Sequence, residues 1–202
     1  MILTKEEYSL LDQTALQLRI DYNFLNDEIN VFKLAKLMNV SLIPYSQINV
    51  HSKDFILKRQ DKIGDGFFII ENEKYAPRIF YNDEKPYFRI RFTICHEIEH
   101  FIFDDKVNDE YEESKANHFA RQLLIPSCLV IMYILKGSDI YDLSYKFNVS
   151  LEVACIAYAH AKKRINYTEH KLDDYETEFM NLYYEKNYGI EFDDYKLLSN
   201  KK

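Results

Sequence analysis

Five consecutive residues constrain this chain more than any others: His96-Glu97-Ile98-Glu99-His100. On a helix, residues four apart project from the same face, so two imidazoles at this spacing can reach one metal ion, with zinc the ion best suited to them. Glu97 lies one step around the helix, where it can take a proton from a water molecule. Two ligands and a base at fixed offsets point to a metal-dependent hydrolase. With six histidines in the chain, random placement produces the pattern in roughly one such chain in seventy, so its surroundings must carry the argument. Pro86 precedes the motif at a position that a helix start tolerates, and apolar residues recur near helical spacing at 88, 92, 95, 98 and 102. This predicts a mostly buried helix of about four turns. Two His and a Glu in such a helix require polar partners, because unpaired buried groups are unfavourable. A metal satisfies all three.

Two histidines leave a catalytic zinc site one protein ligand short. The polar stretch 104–109 reads as a turn, after which a second helix folds back with the core stripe Ala116, Phe119, Ala120, Leu123 and Leu124. Its first turn offers three carboxylates: Glu110, Glu112 and Glu113. Glu113 is preferred because Asn117 follows it at i+4, giving a ligand and an amide on one face. An amide there can accept the second N–H of a ligand imidazole, the usual outer-shell arrangement. Glu112 pairs with Ala116 and Glu110 with Ser114, which are weaker arrangements but remain alternatives.

The run Arg91-Phe92-Thr93-Ile94-Cys95-His96-Glu97-Ile98-Glu99-His100, followed by Glu113-Ser114-Lys115-Ala116-Asn117-His118-Phe119-Ala120-Arg121-Gln122-Leu123-Leu124-Ile125-Pro126, resembles the ImmA/IrrE family of metallopeptidases. The family pattern is RFTxAHExxH, then ExxA(N/D)xFAxxLLxP. The resemblance covers residues 25–165 and is tight over 89–126. It implies zinc on His96, His100 and Glu113, with Glu97 as the base. It also implies a protein substrate: a helix-turn-helix repressor of a phage or mobile element, whose cleavage relieves repression. Cys95 stands where the family usually has Ala, and Glu99 where it usually has Gly. Neither is a ligand position, but Glu99 places a charge near the site.

The order of elements predicts an α+β fold. Thr4-Lys5-Glu6-Glu7 is a capping box opening a helix to about Arg19. Helices over 29–38 and 52–59 and strands over 40–44, 67–70 and 78–81 precede the motif helix. Three short strands beside a metal-bearing helix make a small zincin-like domain, followed by a helical C-terminal half. Either 67–70 or 78–81 is the candidate edge strand for pairing with a substrate backbone. After Pro126, helices are expected over 127–135, 139–147 and 150–163. The last two are spaced like a helix-turn-helix, but the second presents Glu152 among apolar residues and reads as a packing unit. The expected organisation is an N-terminal helix (1–24), a metallopeptidase domain (25–165) and an acidic, Tyr-rich extension (166–202). That extension reads as an amphipathic helix packed on the core, with a cover over the cleft or a docking surface as the sharper alternative.

A formal charge of −7 disfavours a broad phosphate-binding surface. Direct DNA contact through 139–163 is therefore the weakest functional class, and a basic protein partner suits the charge better. No run of eighteen apolar residues predicts a membrane span, and Met-Ile-Leu-Thr-Lys-Glu-Glu-Tyr at the start lacks the apolar core of a signal peptide. Cys95, Cys128 and Cys155 read as buried free thiols in a reducing compartment, hence a cytoplasmic protein. His118, beside Asn117, reads as packing with catalytic assistance as the alternative. His51, His160 and His170 have no partner at ligand spacing. The resulting expectation is a zinc-dependent endopeptidase. The competing class is a metal-containing regulatory module that inactivates a repressor by complexation without cutting it.

Overall fold

Three short β-strands and eight α-helices form among the described residues of the computed structural model, which are 3–48, 65–69, 76–103, 109–167 and 171–193. The expected helix at 52–59, and His51 and His170, lie outside them. The chain divides into two units, one made of Met1–Leu3 and Asn30–Ala120, the other of Thr4–Ile29 and Arg121–Lys202.

The first unit begins with helix α1's successor in the chain, α2 (Val31–Leu37), α1 itself (Lys5–Asp21) belonging to the second unit. Asn30 caps α2 by accepting from the Lys33 N–H at 2.9 Å, and Asn39, with φ of 57°, turns the chain out of it. Val31, Leu34 and Ala35 form its buried stripe. Strand β1 (Ser41–Pro44) follows and runs into a single 3₁₀ turn (Tyr45–Gln47). Strands β2 (Gly66–Ile69) and β3 (Arg78–Tyr81) complete a mixed sheet of order β1-β3-β2. β1 pairs parallel with β3, with Leu42 opposite Ile79, whereas β2 pairs antiparallel, with Phe67 opposite Phe80. Among the described residues the 78–81 strand is therefore central, and of the two candidates only 67–70 is an edge. The reason is long-range: β1 claims one side of β3 and β2 the other.

Helix α3 (Tyr87–Phe103) packs on β2, β3 and α2. Its interior residues are Arg91, Thr93, Ile94, Cys95, Glu97, Ile98, Glu99 and His100. This differs from the expected stripe: Cys95 and Ile98 are buried, but Phe88 is exposed and Ile94 is fully enclosed. A helix covered on several sides has no single apolar face for periodicity to report. Helix α4 (Glu110–Leu124) keeps the expected stripe, with Ala116, Phe119, Ala120, Leu123 and Leu124 all buried.

The second unit is helical. α1 has the predicted capping box, Thr4 Oγ1 accepting from the Glu7 N–H and the Glu7 carboxylate accepting from the Thr4 N–H. α5 (Ser127–Leu135) is apolar around its circumference and buried from Cys128 to Ile134. α6 (Ile140–Phe147) and α7 (Leu151–Tyr167) pack on each other, burying Leu143 and Phe147 on one and Ala154, Ala157 and Ala161 on the other. They are thus a packing unit, with Asn148 at φ of 50° making the turn between them. Cys155 lies on α7 opposite its alanine face and is exposed, so only Cys95 and Cys128 are buried thiols. α8 (Asp174–Tyr188) packs on α1 and α5 through Phe179, Met180 and Tyr183, the plainer of the two expectations for the Tyr-rich segment. Arg164 grips Glu176 with two hydrogen bonds of 2.6 and 2.5 Å, and the Tyr133 and Tyr183 hydroxyls each donate to Asp27 at 2.7 Å. Among the described residues no single helix is long and apolar enough to cross a membrane.

Candidate active site

His96 and His100 lie on successive turns of α3, and their Nε2 atoms approach to 3.1 Å. Glu113 reaches both rings from the first turn of α4: its carboxylate oxygens lie 3.3 Å from His96 Nε2 and 3.8 Å from His100 Nε2. One donor atom from each of the three residues falls within 4.8 Å of the others. Two imidazole nitrogens and a carboxylate converging at this spacing suit a single divalent ion, and the set matches the ligand types of catalytic zinc sites.

The start of α4 explains why Glu113 is the converging carboxylate. Asp109 accepts from the N–H groups of Tyr111 and Glu112 at 2.9 and 3.0 Å, which fixes the first helical turn. In that register Glu112 turns to Lys115, 2.6 Å away, and Glu110 is exposed. Asn117, one turn past Glu113, places Oδ1 3.2 Å from His96 Nδ1. His118 is buried outside the cluster. Contact with the His100 and His96 rings holds the Glu113 carboxyl well below the usual carboxylate range. This carboxylate therefore stays ionised, the form in which it could hold a metal ion.

Glu97 is buried against β2. Burial pushes its carboxyl up to about 7, against the opposing pull of both imidazoles and of a hydrogen bond from the Phe68 backbone N–H. That hydrogen bond depends on close approach of strand and helix. A Cβ on Gly66 would sit 2.4 Å from Thr93 Cγ2, 2.9 Å from the Phe80 carbonyl oxygen and 3.5 Å from Glu97 Cγ. Only glycine fits there. Phe68 also lays its ring over His100, centroids 6.2 Å apart and nearly parallel, so β2 both covers the His100 ring and contacts Glu97.

Two contributors were not identified by sequence reasoning. Gly66 heads β2, and in a chain with four glycines one at the head of a strand signals close backbone approach. Tyr45, in the 3₁₀ turn after β1, has a shielded hydroxyl without a hydrogen-bond partner among the described residues. Burial first, then the negative charges of Glu97 and Asp65, raise its pKa, which places it within electrostatic reach of Glu97. Nothing local distinguishes it among seventeen tyrosines. Beside them Asp65 pairs with Arg89 Nε at 2.5 Å and Lys85 Nζ at 3.1 Å.

A helix carrying two imidazoles and a buried carboxylate, with a third ligand-type carboxylate on the next helix, is the arrangement of a metallopeptidase. The family model of the IrrE N-terminal-like domain, a peptidase family, matches residues 49–158. That is more than half of the chain, and the chain belongs to this family. No curated protein and no solved structure matches it.

Proposed function

We propose that the protein is a zinc-dependent endopeptidase of the cytoplasm that cuts a helix-turn-helix repressor of a phage or mobile element. The observation that carries the catalytic part is the convergence of His96, His100 and Glu113 beside the buried Glu97. His96, His100 and Glu113 would hold the ion, which supplies Lewis acidity for the scissile carbonyl and for water. Glu97 accepts the proton of the attacking water on its carboxylate and delivers it to the leaving amine nitrogen. The Phe68 N–H keeps that carboxylate aimed. β2, an edge strand among the described residues and next to Glu97, would pair with an extended substrate backbone. The repressor as substrate rests on the family resemblance, and the acidic net charge suits a basic protein partner.

Metal analysis should find about one zinc per chain, lost in His96→Ala. Glu113→Ala should lower zinc affinity far more than Glu112→Ala or Glu110→Ala. The deciding variant is Glu97→Gln, which keeps size but removes basicity. It should retain zinc and repressor binding while cleavage falls by at least ~100-fold. The assay incubates repressor with wild type or variant and looks for fragments, alongside a repressor-controlled reporter. Full derepression by the variant, with no fragments from either protein, would establish inactivation by complexation instead.

A further inference from the structure

Two turns before His96 on α3, Arg89 has a guanidinium that is fixed in place yet open to solvent. Its Nε donates to one oxygen of Asp65 at 2.5 Å, and Lys85 Nζ reaches the other oxygen at 3.1 Å. Its guanidinium carbon lies 5.8 Å from the centre of the Phe92 ring. The side chain is nonetheless 52% exposed, and neither of its terminal nitrogens has a protein partner among the described residues. A guanidinium tied down at Nε and laid on a ring holds its two terminal NH2 groups outward as a fixed fork, the geometry that binds a carboxylate. Burial raises the Asp65 carboxyl, but the hydrogen bonds from Arg89 and Lys85 outweigh it and hold the group below the usual carboxylate range. One ionised carboxylate thus serves two cations, and the trio keeps a net positive charge.

This fork stands at a definite distance from the candidate metal ligands. Arg89 precedes His96 by seven residues, so the two leave α3 within about 20° of each other and about 10 Å apart along its axis. Asp65 precedes Phe68, which covers His100 and bonds Glu97, by three residues of extended chain, again about 10 Å. A substrate backbone lying along β2 with its scissile bond at Glu97 would therefore pass Arg89 about three residues away. We propose that Arg89 is a specificity-determining residue, whose outward fork takes the side-chain carboxylate of an Asp or Glu at that position of the substrate. The proposal rests on the peptidase reading above and names one residue of the chain that the site accepts. The acidic net charge acts on the partner as a whole, whereas Arg89 acts on a single side chain within it.

The test profiles cleavage of a randomised peptide library by the zinc-loaded protein, with both peptide ends blocked so that only side chains supply carboxylates. Fragments are sequenced by mass spectrometry for wild type, Arg89→Gln and Arg89→Glu. Wild type should favour Asp or Glu two to four residues from the cut by about 5–10-fold, the scale of one charge-assisted pair at a half-exposed site. Arg89→Gln should lose that preference, and Arg89→Glu should favour Lys or Arg at the same position. Melting curves report whether the variants fold, and the wild-type profile needs no variant. A clasp that only joins α3 to the head of β2 would lower the melting temperature of both variants and leave the profile unchanged, which would overturn the proposal. So would wild-type cleavage with no acidic preference, or with one confined to the residues that flank the cut. Each of these results leaves the peptidase reading standing. Zinc-loaded wild type that cuts no peptide in the library overturns the peptidase reading and this proposal together.

Discussion

Helices α3 and α5 are both buried around most of their circumference, yet they bury opposite kinds of surface. α5 encloses Cys128, Leu129, Val130, Ile131, Met132, Tyr133 and Ile134, where the main polar group is the Tyr133 hydroxyl bound to Asp27. α3 encloses Arg91, Glu97, Glu99 and His100 among its apolar residues. Burying an aliphatic side chain stabilises by about 1.5–3 kcal/mol, whereas burying an ionisable group opposes folding unless it is paired. α5 therefore contributes stability to its unit. α3 holds groups whose burial makes sense only through what they do together. The difference separates a helix selected for packing from one selected for chemistry, although both would look equally interior from burial alone.

The sharpest way to break this comparison is a cavity in α5. Leu129 is fully enclosed, and Leu129→Ala should lower stability by about 2–5 kcal/mol in a denaturant titration. Zinc bound per folded chain should not change, because no ligand or outer oxygen lies on α5. Parallel loss of zinc affinity and stability in that variant would show that the two helices do not divide the labour as argued.

A smaller effect is expected where the sheet meets α3. Gly66→Ala forces a Cβ to 2.4 Å from Thr93 Cγ2 and 2.9 Å from a backbone carbonyl. Overpacking of this kind destabilises by about 1–3 kcal/mol. Its functional signature should be specific: cleavage should fall further than zinc affinity, since the displaced strand carries the Phe68 N–H bonded to Glu97 and no metal ligand. Adding Thr93→Ala relieves the side-chain clash but leaves the Phe80 carbonyl in place. Only partial recovery should follow, and full recovery would mean that the backbone approach is looser than the structure gives.

The same contrast shows what the sequence could and could not reveal. The α4 stripe from Ala116 to Leu124 was legible because α4 has one buried face, so 3.6-residue periodicity reports it directly. The α3 stripe was not. Phe88 is exposed, and Arg91 and Ile94 are enclosed, since burial on several sides erases the period. Ligand-type residues were legible wherever their relation is local: His96 with His100 at i+4, and Glu113 with Asn117 at i+4. The central position of β3 depends on parallel pairing with β1 across the intervening chain, and the approach of Tyr45 to Glu97 depends on where that sheet lands. Neither relation leaves a local trace.

The smallest effect sharpens the comparison within the site itself. Asn117 touches His96 Nδ1 from α4 and is not among the three converging ligands. Asn117→Ala should weaken zinc binding on the order of tenfold, about 1.4 kcal/mol, by freeing the His96 ring to rotate. Glu112→Ala supplies the baseline on the same helix. Its carboxylate pairs with Lys115 at i+3, an interaction contributing well under ~1 kcal/mol, and zinc affinity should hold at the wild-type level. Chelator competition ranks the two variants on one scale. If Glu112→Ala proved the more damaging, the register of α4 set by Asp109 would be wrong, and the carboxylate facing the imidazoles would have to be reassigned. If both were silent, His96 would be oriented by packing alone. The polar interior of α3 would then be held by the same means as the apolar interior of α5, and the distinction between the two helices would rest on the ligands only.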